Sequence, residues 1–153
     1  MSKKEEGVAT AIVVDLDGTL CDVNHRVHHV RKEKKDWKAF HTGLVDDEIN
    51  PWCDQLIHAM KAQSYAIILL TGRDEKYRDL TEGWLNKYSV PHDALFMRPH
   101  DDFRKDDVIK AEIYEKEILP YYHVLFVVED RKSVVEMWRE KGVVCLQCDW
   151  GDF

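Results

Sequence analysis

The amino-acid sequence predicts a doubly wound α/β fold, with a mainly parallel sheet and helices on both faces. Three apolar runs rich in β-branched residues predict buried strands at Ala11–Val14, Ala66–Leu70 and Val124–Val128. Helical patterns alternate with these runs, and such alternation produces right-handed crossovers and a parallel sheet. The chain has 153 residues, of which 44% are hydrophobic, so we expect residues 1–153 to form one domain.

The remaining elements follow from weaker patterns of the same two kinds. Short apolar runs at Ala94–Met97 and Val143–Gln147 predict two further strands. Apolar residues at helical spacing predict four helices, at Trp52–Ala62, Tyr77–Tyr88, Asp107–Leu119 and Ser133–Glu140. Each helix separates two strands, as the doubly wound fold requires.

The segment Leu20–Asn50 has neither a strong strand nor a long amphipathic helix, and we interpret it as a small cap insertion. It is rich in basic and histidine side chains: His25, Arg26, His28, His29, Arg31, Lys32, Lys34 and Lys35. These charges either contact a nucleic-acid backbone or belong to a solvated linker. Trp37 or Phe40 either stacks on a base or anchors the cap to the core.

Composition and charge restrict the function. A net charge of −7 argues against a general nucleic-acid-binding surface, so any such contact must be local. The chain lacks the GxxxxGK[ST] phosphate loop, so nothing supports ATP use through a P-loop. Met1–Gly7 is charged, and no apolar run is long enough to span a bilayer. We therefore expect a cytoplasmic protein without membrane contact. In that compartment the four cysteines are expected to be free thiols.

Polar residues follow each of the three strong strands. In a doubly wound sheet, ligands bind beyond the carboxyl ends of the strands, near the point where the strand order reverses. The candidates are therefore Asp15 and Asp17 after the first strand, Thr71, Gly72 and Arg73 after the second, and Glu129, Asp130 and Arg131 after the third.

The first of these groups forms the motif Asp15-Leu16-Asp17-Gly18-Thr19-Leu20. An isolated acidic pair at a strand end often only begins a loop or caps a helix. Taken together with the polar residues at the other two strand ends, the motif resembles the DxDGT signature of haloacid dehalogenase superfamily phosphatases. The resemblance implies that Asp15 attacks phosphorus to form an aspartyl-phosphate, and that Asp17 transfers protons.

A magnesium ion fits this acidic set, because magnesium prefers hard oxygen ligands. We expect Asp15, the backbone carbonyl of Asp17 and the pair Glu129-Asp130 to hold it, with Asp130 as the direct ligand of that pair. An alternative for Glu129-Asp130 is an N-cap with an acidic first turn for the following helix.

Phosphate contacts are expected from the second strand end and from the helix near residue 110. The resemblance implies that the Thr71 hydroxyl, with Gly72 and neighbouring backbone N–H groups, binds a phosphoryl oxygen. It also implies that Lys110 neutralises the negative charge of the nucleophile and the phosphate. Arg73 and Arg26 could make fork-like phosphate contacts. The alternative for Asp106 and Lys110, four residues apart, is a surface ion pair.

A closer resemblance covers Ala11 to Phe153: the chain looks like the 3'-phosphatase domain of phage polynucleotide kinase/phosphatase, an end-healing family. It rests on Arg104–Lys110, Glu129–Arg131, Val134–Arg139 and Gly151–Phe153. The resemblance implies that the residues essential in that family correspond to Asp15, Asp17, Arg26, Arg73, Asp106, Lys110, Glu129 and Asp130. One departure is Glu129, where the family has aspartate.

The leading hypothesis is thus magnesium-dependent removal of terminal 3'-phosphates from DNA or RNA, and its substrate comes from the resemblance. Separately encoded kinase and ligase proteins are the partners it suggests. A small-molecule or nucleotide phosphatase of the same superfamily is the alternative, which the acidic charge favours. A non-catalytic module that binds nucleic-acid ends is a third reading, and it would survive replacement of Asp15.

Overall fold

The computed structural model describes residues 8–151. The first described element is strand β1. The segment between residues 20 and 50 follows it and has two short strands and two short α-helices, with a 3-10 helix over Gly43–Asp46 after the second α-helix. In order these elements are β1 (Ala9–Val14), β2 (Cys21–Asp22), α1 (His28–Arg31), α2 (Trp37–Thr42) and β3 (Glu48–Ile49). Strands and helices then alternate: α3 (Pro51–Ala62), β4 (Ala66–Asp74), α4 (Arg78–Lys87), β5 (Ala94–Arg98), α5 (Asp106–Ile113), β6 (Tyr122–Glu129), α6 (Lys132–Glu140) and β7 (Cys145–Gln147).

The main sheet has five strands in the order β5-β4-β1-β6-β7, and all neighbouring pairs are parallel. From β1 the chain adds β4 and β5 on one side and then returns to add β6 and β7 on the other. The strand order therefore reverses at β1. This topology confirms the predicted doubly wound fold, and it places the carboxyl ends of β1, β4 and β6 side by side.

The sheet is covered on both faces, because successive β1 side chains point to opposite sides. Ile12 and Val14 belong to a core cluster that also contains residues of α3 and α4, such as Ile57 and Trp84. Ala11 and Val13 belong to the other cluster, together with residues of α5 and α6. The two apolar layers hold the helices against the sheet and fix the strand ends relative to each other.

Every predicted strand and helix is present, although several begin or end at other residues than predicted, and two of these differences lie near the site. β4 extends to Asp74, so Thr71, Gly72 and Arg73 belong to the last part of the strand; its pairing with β5 is irregular between Thr71 and Asp74. The predicted helix Asp107–Leu119 ends as a regular α-helix at Ile113 and continues as a π-helical turn over Tyr114–Ile118.

The segment between residues 20 and 50 packs against the core. β2 and β3 pair as an antiparallel ribbon, in which Cys21 lies opposite Ile49. Phe40 is only 2% exposed and, like Leu44, belongs to the cluster under α3 and α4. The suggestion that Phe40 stacks on a base is therefore wrong, because its ring anchors this segment to the core.

All four cysteines are free thiols, as the sequence predicts. Between residues 8 and 151, no helix combines the length and the apolar character needed to cross a bilayer. The cytoplasmic location stays a prediction.

Candidate active site

Asp15 lies at the carboxyl end of β1, where the strand order reverses. The ammonium of Lys110 lies 2.9 Å from its Oδ1, and the hydroxyl of Thr19 donates to its Oδ2 at 3.2 Å. Lys110 also donates to Glu129 at 2.7 Å and is 1% exposed, whereas its distance to Asp106 is 3.6 Å. Lys110 and Asp106 do form an i,i+4 ion pair, but the lysine is buried, so the prediction of a surface ion pair is wrong about its location. Lys110 is a buried partner of Asp15.

Glu129 and Asp130 complete a cluster of three carboxylates with Asp15. One oxygen from each side chain lies within 4.8 Å of the others, and all three residues are buried. Burial, together with the Glu129 carboxylate, raises the pKa of Asp15 far above its usual range and that of Asp130 to about 8. Crowded carboxylates favour a bound cation, and hard oxygens are the ligands of magnesium. The donor set therefore fits that ion.

The two acidic residues at the end of β6 differ in how their oxygens are used. Both oxygens of Glu129 are engaged, one by Lys110 and the other by the backbone N–H groups of Asp130 and Arg131, at 3.2 Å each. The Asp130 carboxylate lies against Gly18, where a Cβ would overlap it. Arg131 is the N-cap of α6 and makes no side-chain capping bond, so the N-cap alternative for the acidic pair is wrong.

Asp17 is held by two buried arginines. Arg73 Nη2 lies 2.6 Å from Asp17 Oδ1 and its Nε lies 3.2 Å from both oxygens, while Arg26 Nη2 lies 2.5 Å from Oδ1. Burial opposes the charge on Asp17, but Arg73 and Arg26 outweigh burial and hold its pKa well below the usual range. The sequence predicts fork-like hydrogen bonds from Arg26 and Arg73 to a phosphate. In this structure the two arginines make such hydrogen bonds to Asp17. Both arginines are 1% exposed.

Asp47 is a residue that sequence reasoning missed. Arg26 donates to both of its carboxylate oxygens at 2.7 Å, and Arg73 Nη2 lies 3.7 Å from it. The indole of Trp84 and the hydroxyl of Tyr88 donate to its backbone carbonyl, at 2.9 and 3.2 Å. Asp47 thus joins α4 and the segment between residues 20 and 50 to the Asp17 site. Nothing in the run Asp46-Asp47-Glu48 distinguishes it in the sequence.

The end of β4 approaches the start of α5 closely. At Gly72 a Cβ would overlap the Asp106 carboxylate, so any larger residue there would displace that side chain. Arg98 joins the two, donating to the Gly72 carbonyl at 2.8 Å and to Asp106 at 3.3 Å. The hydroxyl of Thr71 is buried and accepts the N–H of Arg73 at 3.2 Å. Arg98 is the second residue that the sequence analysis did not identify.

A cavity of about 360 Å³ opens onto these groups. Six predicted site residues line it: Asp15, Asp17, Gly72, Asp106, Glu129 and Asp130. The other four are each 1% exposed and lie behind that lining: Arg26, Thr71, Arg73 and Lys110. The structure therefore brings all ten together, with the carboxylates at the surface of the cavity and the cations underneath.

The carboxyl-terminal end of the described residues also reaches this site. Gly151 has a φ of +61° and packs so closely on the backbone of Asp130 and Arg131 that a Cβ would overlap the Asp130 carbonyl. This contact accounts for the glycine of the Gly151–Phe153 stretch. Its last two residues, Asp152 and Phe153, lie outside the described residues.

The fold, the DxDGT motif after β1 and the buried acidic cluster together define a phosphatase of the haloacid dehalogenase superfamily. The fold is similar to that of a Had-superfamily hydrolase from Ehrlichia chaffeensis, with a TM-score of 0.56 and 14% identity over 94% of this chain and 88% of that one. Within the superfamily, residues 9–153 match the polynucleotide kinase PNKP phosphatase domain. The chain belongs to that family.

Two relatives are much longer than this chain. A chain in the structure of the Pnkp1/Rnl/Hen1 complex is 36% identical with a TM-score of 0.86, over 99% of this chain and 50% of its own length. A putative bifunctional polynucleotide kinase/RNA ligase of Autographa californica nuclear polyhedrosis virus is 28% identical over 132 residues, which cover 85% of this chain and 18% of the relative. This chain spans half or less of either.

Proposed function

We propose that this phosphatase removes 3'-phosphates from DNA or RNA ends, with Asp15 as the nucleophile and magnesium as the cofactor. One observation carries the chemistry: the Lys110 ammonium lies 2.9 Å from Asp15 and 2.7 Å from Glu129 beneath the cavity. The Lys110 ammonium opposes the rise in the pKa of Asp15 that burial and Glu129 cause, and a bound magnesium ion would oppose it further, so that Asp15 can be anionic beside an anionic substrate. We further propose that residues 1–153 act as one phosphatase domain, with residues 20–50 as its cap.

The reaction would proceed in two displacements. In the first, a carboxylate oxygen of Asp15 bonds to phosphorus, the bond from phosphorus to the 3'-oxygen breaks, and Asp17 donates a proton to that oxygen. In the second, water attacks phosphorus and gives a proton to Asp17. The bond between Asp15 and phosphorus breaks, inorganic phosphate leaves, and both carboxyl groups return to their starting states.

The arginines around Asp17 would set its protonation state before the substrate binds. With Arg26 and Arg73 hydrogen-bonded to it, Asp17 is ionised and suited to accept the proton of the attacking water. The first displacement requires a protonated Asp17. The negative charge of a substrate phosphate in the cavity that Asp17 lines would raise the pKa of Asp17 and favour its protonation.

Magnesium would be held by the carboxylates of Asp15 and Asp130 and by the backbone carbonyl of Asp17. When bound, the ion offsets the negative charge shared by the carboxylates and the phosphate. Glu129, whose oxygens are already engaged by Lys110 and backbone N–H groups, would orient Lys110 and the following loop. This division agrees with the choice of Asp130 as the direct ligand.

Family membership supports the substrate. The family description concerns a polynucleotide kinase, and the relatives are described as a polynucleotide kinase/RNA ligase and as part of an RNA repair complex. We propose a corresponding role in nucleic-acid end healing, with kinase and ligase activities as functional partners. The kinase and ligase could act in the same polypeptide or in separate proteins.

The test compares phosphate release from one oligonucleotide carrying either a 3'- or a 5'-phosphate, as DNA and as RNA, with nucleoside monophosphates and nitrophenyl phosphate as references. We expect magnesium-dependent release from the 3' end to be at least about tenfold faster than from the 5' end. Comparable rates on both ends, or faster release from nucleoside monophosphates, would favour the small-molecule phosphatase.

A further inference from the structure

Phe103 is a large apolar side chain held in solvent at the active-site cavity. It is 90% exposed and lies in the loop between β5 and α5. The residues on either side are fixed, because Arg98 donates to the carbonyls of Asp102 and Arg104 at 2.9 and 2.5 Å. The loop is therefore anchored, and the ring of Phe103 is presented to the cavity that it lines.

A second aromatic surface comes from the segment between residues 20 and 50. Trp37 is 41% exposed and stacks on His41, with ring centroids 6.0 Å apart and planes inclined by 24°. His41 in turn contacts Tyr77 at 5.0 Å. Burial lowers the pKa of His41 to about 4, so its ring is uncharged at neutral pH. All three rings line the same cavity as Phe103.

Isolated exposed aromatic residues are common on protein surfaces and need no function. Here Trp37 and Phe103 come from separate parts of the chain and line one cavity with Asp15 and Asp17. Its volume of about 360 Å³ is that of a site for a whole small ligand, and a single phosphate group would fill only part of it. Three exposed lysines also line it: Lys38, Lys76 and Lys105.

We propose that Trp37 and Phe103 form a nucleobase-binding site, on which the base of the 3'-terminal nucleoside stacks while its phosphate reaches Asp15. This inference rests on the proposed function and adds the group by which the enzyme recognises a nucleic-acid end. Stacking on aromatic rings tolerates any base, because every base has a π-face. The site would therefore select for a nucleoside next to the phosphate and not for a sequence.

The experiment compares two 3'-phosphorylated oligonucleotides that differ only at the terminal nucleoside, which carries a base in one and is abasic in the other. We expect kcat/KM to be roughly tenfold higher with the base, within the range that one stacked base contributes. Trp37→Ala and Phe103→Ala should each lower this ratio, and the double variant should bring it close to one. Trp37→Phe should retain most of it.

Tyr121→Ala is the matched control, because Tyr121 is 62% exposed and immediately precedes β6, at the amino-end edge of the parallel sheet. It should keep the wild-type ratio. A wild-type ratio near one, or an unchanged ratio in the double variant, would overturn the nucleobase site and leave the proposed function intact. If the wild-type enzyme hydrolyses nitrophenyl phosphate but neither oligonucleotide, the proposed function fails, and this inference fails with it.

Discussion

Arg26 and Asp47 form a two-point ion pair inside the protein. Nε and Nη2 of Arg26 each lie 2.7 Å from a different carboxylate oxygen of Asp47, and both residues are 1% exposed. The same Nη2 reaches Asp17 at 2.5 Å. Because a guanidinium is planar, gripping one edge fixes the direction of the remaining N–H groups. Asp47 therefore positions the acid/base candidate Asp17 through Arg26.

Asp47→Asn should lower kcat for 3'-phosphorylated oligonucleotides by about 10- to 100-fold, a range typical for the loss of a group that orients a catalytic residue. The loss should be smaller for nitrophenyl phosphate, whose leaving group needs little protonation. Weakening a buried ion pair should also destabilise the fold by on the order of 3 kcal/mol, measured by urea unfolding.

The neighbouring residue supplies the control for that experiment. Asp46 is exposed, so Asp46→Asn should change neither kcat nor the unfolding free energy. If Asp47→Asn reduced turnover of both substrates by the same factor, Asp47 would have a structural role only.

Asp15→Asn should abolish turnover of every substrate, because an amide of similar shape cannot act as an anionic nucleophile. The fold should survive, since the substitution removes one of three crowded carboxylates from a buried site. Circular dichroism and thermal unfolding check the fold, and phosphate release checks activity. Substantial activity in the purified variant would exclude covalent catalysis by Asp15.

Asp17→Asn should separate substrates by their leaving groups. If Asp17 protonates the departing 3'-oxygen, the variant should lose far more activity on an oligonucleotide 3'-phosphate than on nitrophenyl phosphate. Rates on both substrates under saturating conditions give the comparison. Equal losses would argue that Asp17 serves only to bind the ion or to hold Arg73.

The acidic pair should respond unequally to magnesium. Chelation should stop the reaction and magnesium should restore it, with Asp130→Ala raising the magnesium requirement by about tenfold and more than Glu129→Ala does. The reason is that the Glu129 oxygens are already engaged by Lys110 and backbone N–H groups. Magnesium titrations of both variants test the ranking, and the reverse order would make Glu129 the direct ligand.

Two glycines provide a steric test. A Cβ at Gly72 would overlap the Asp106 carboxylate, so Gly72→Ala should displace Asp106 and lower kcat/KM by at least about tenfold. At Gly83, inside α4, a Cβ would meet nothing within 4 Å. Gly83→Ala should leave activity unchanged and stabilise the protein by about 0.5–1 kcal/mol, since alanine is the better helix former. Equal activity of the two variants would contradict the close approach.

The sequence by itself determined the five strands of the main sheet, their parallel arrangement and the cluster of three carboxylates. A continuous apolar run identifies a buried strand from the local sequence alone. Because the carboxyl ends of parallel strands lie at the same edge of the sheet, polar residues that directly follow such runs lie close together there. Asp15, Glu129 and Asp130 were identifiable for this reason, although more than 110 positions separate Asp15 from the other two.

Only the tertiary structure decided which charges pair and which side chains face the cavity. Lys110 and Asp106 have the spacing of a surface ion pair, yet packing of α5 against the sheet buries the lysine beneath Asp15. Asp47 and Phe103 have no local pattern at all. Their roles depend on contacts between segments distant in sequence, and such contacts are fixed by the three-dimensional packing of the sheet, its helices and the segment between residues 20 and 50.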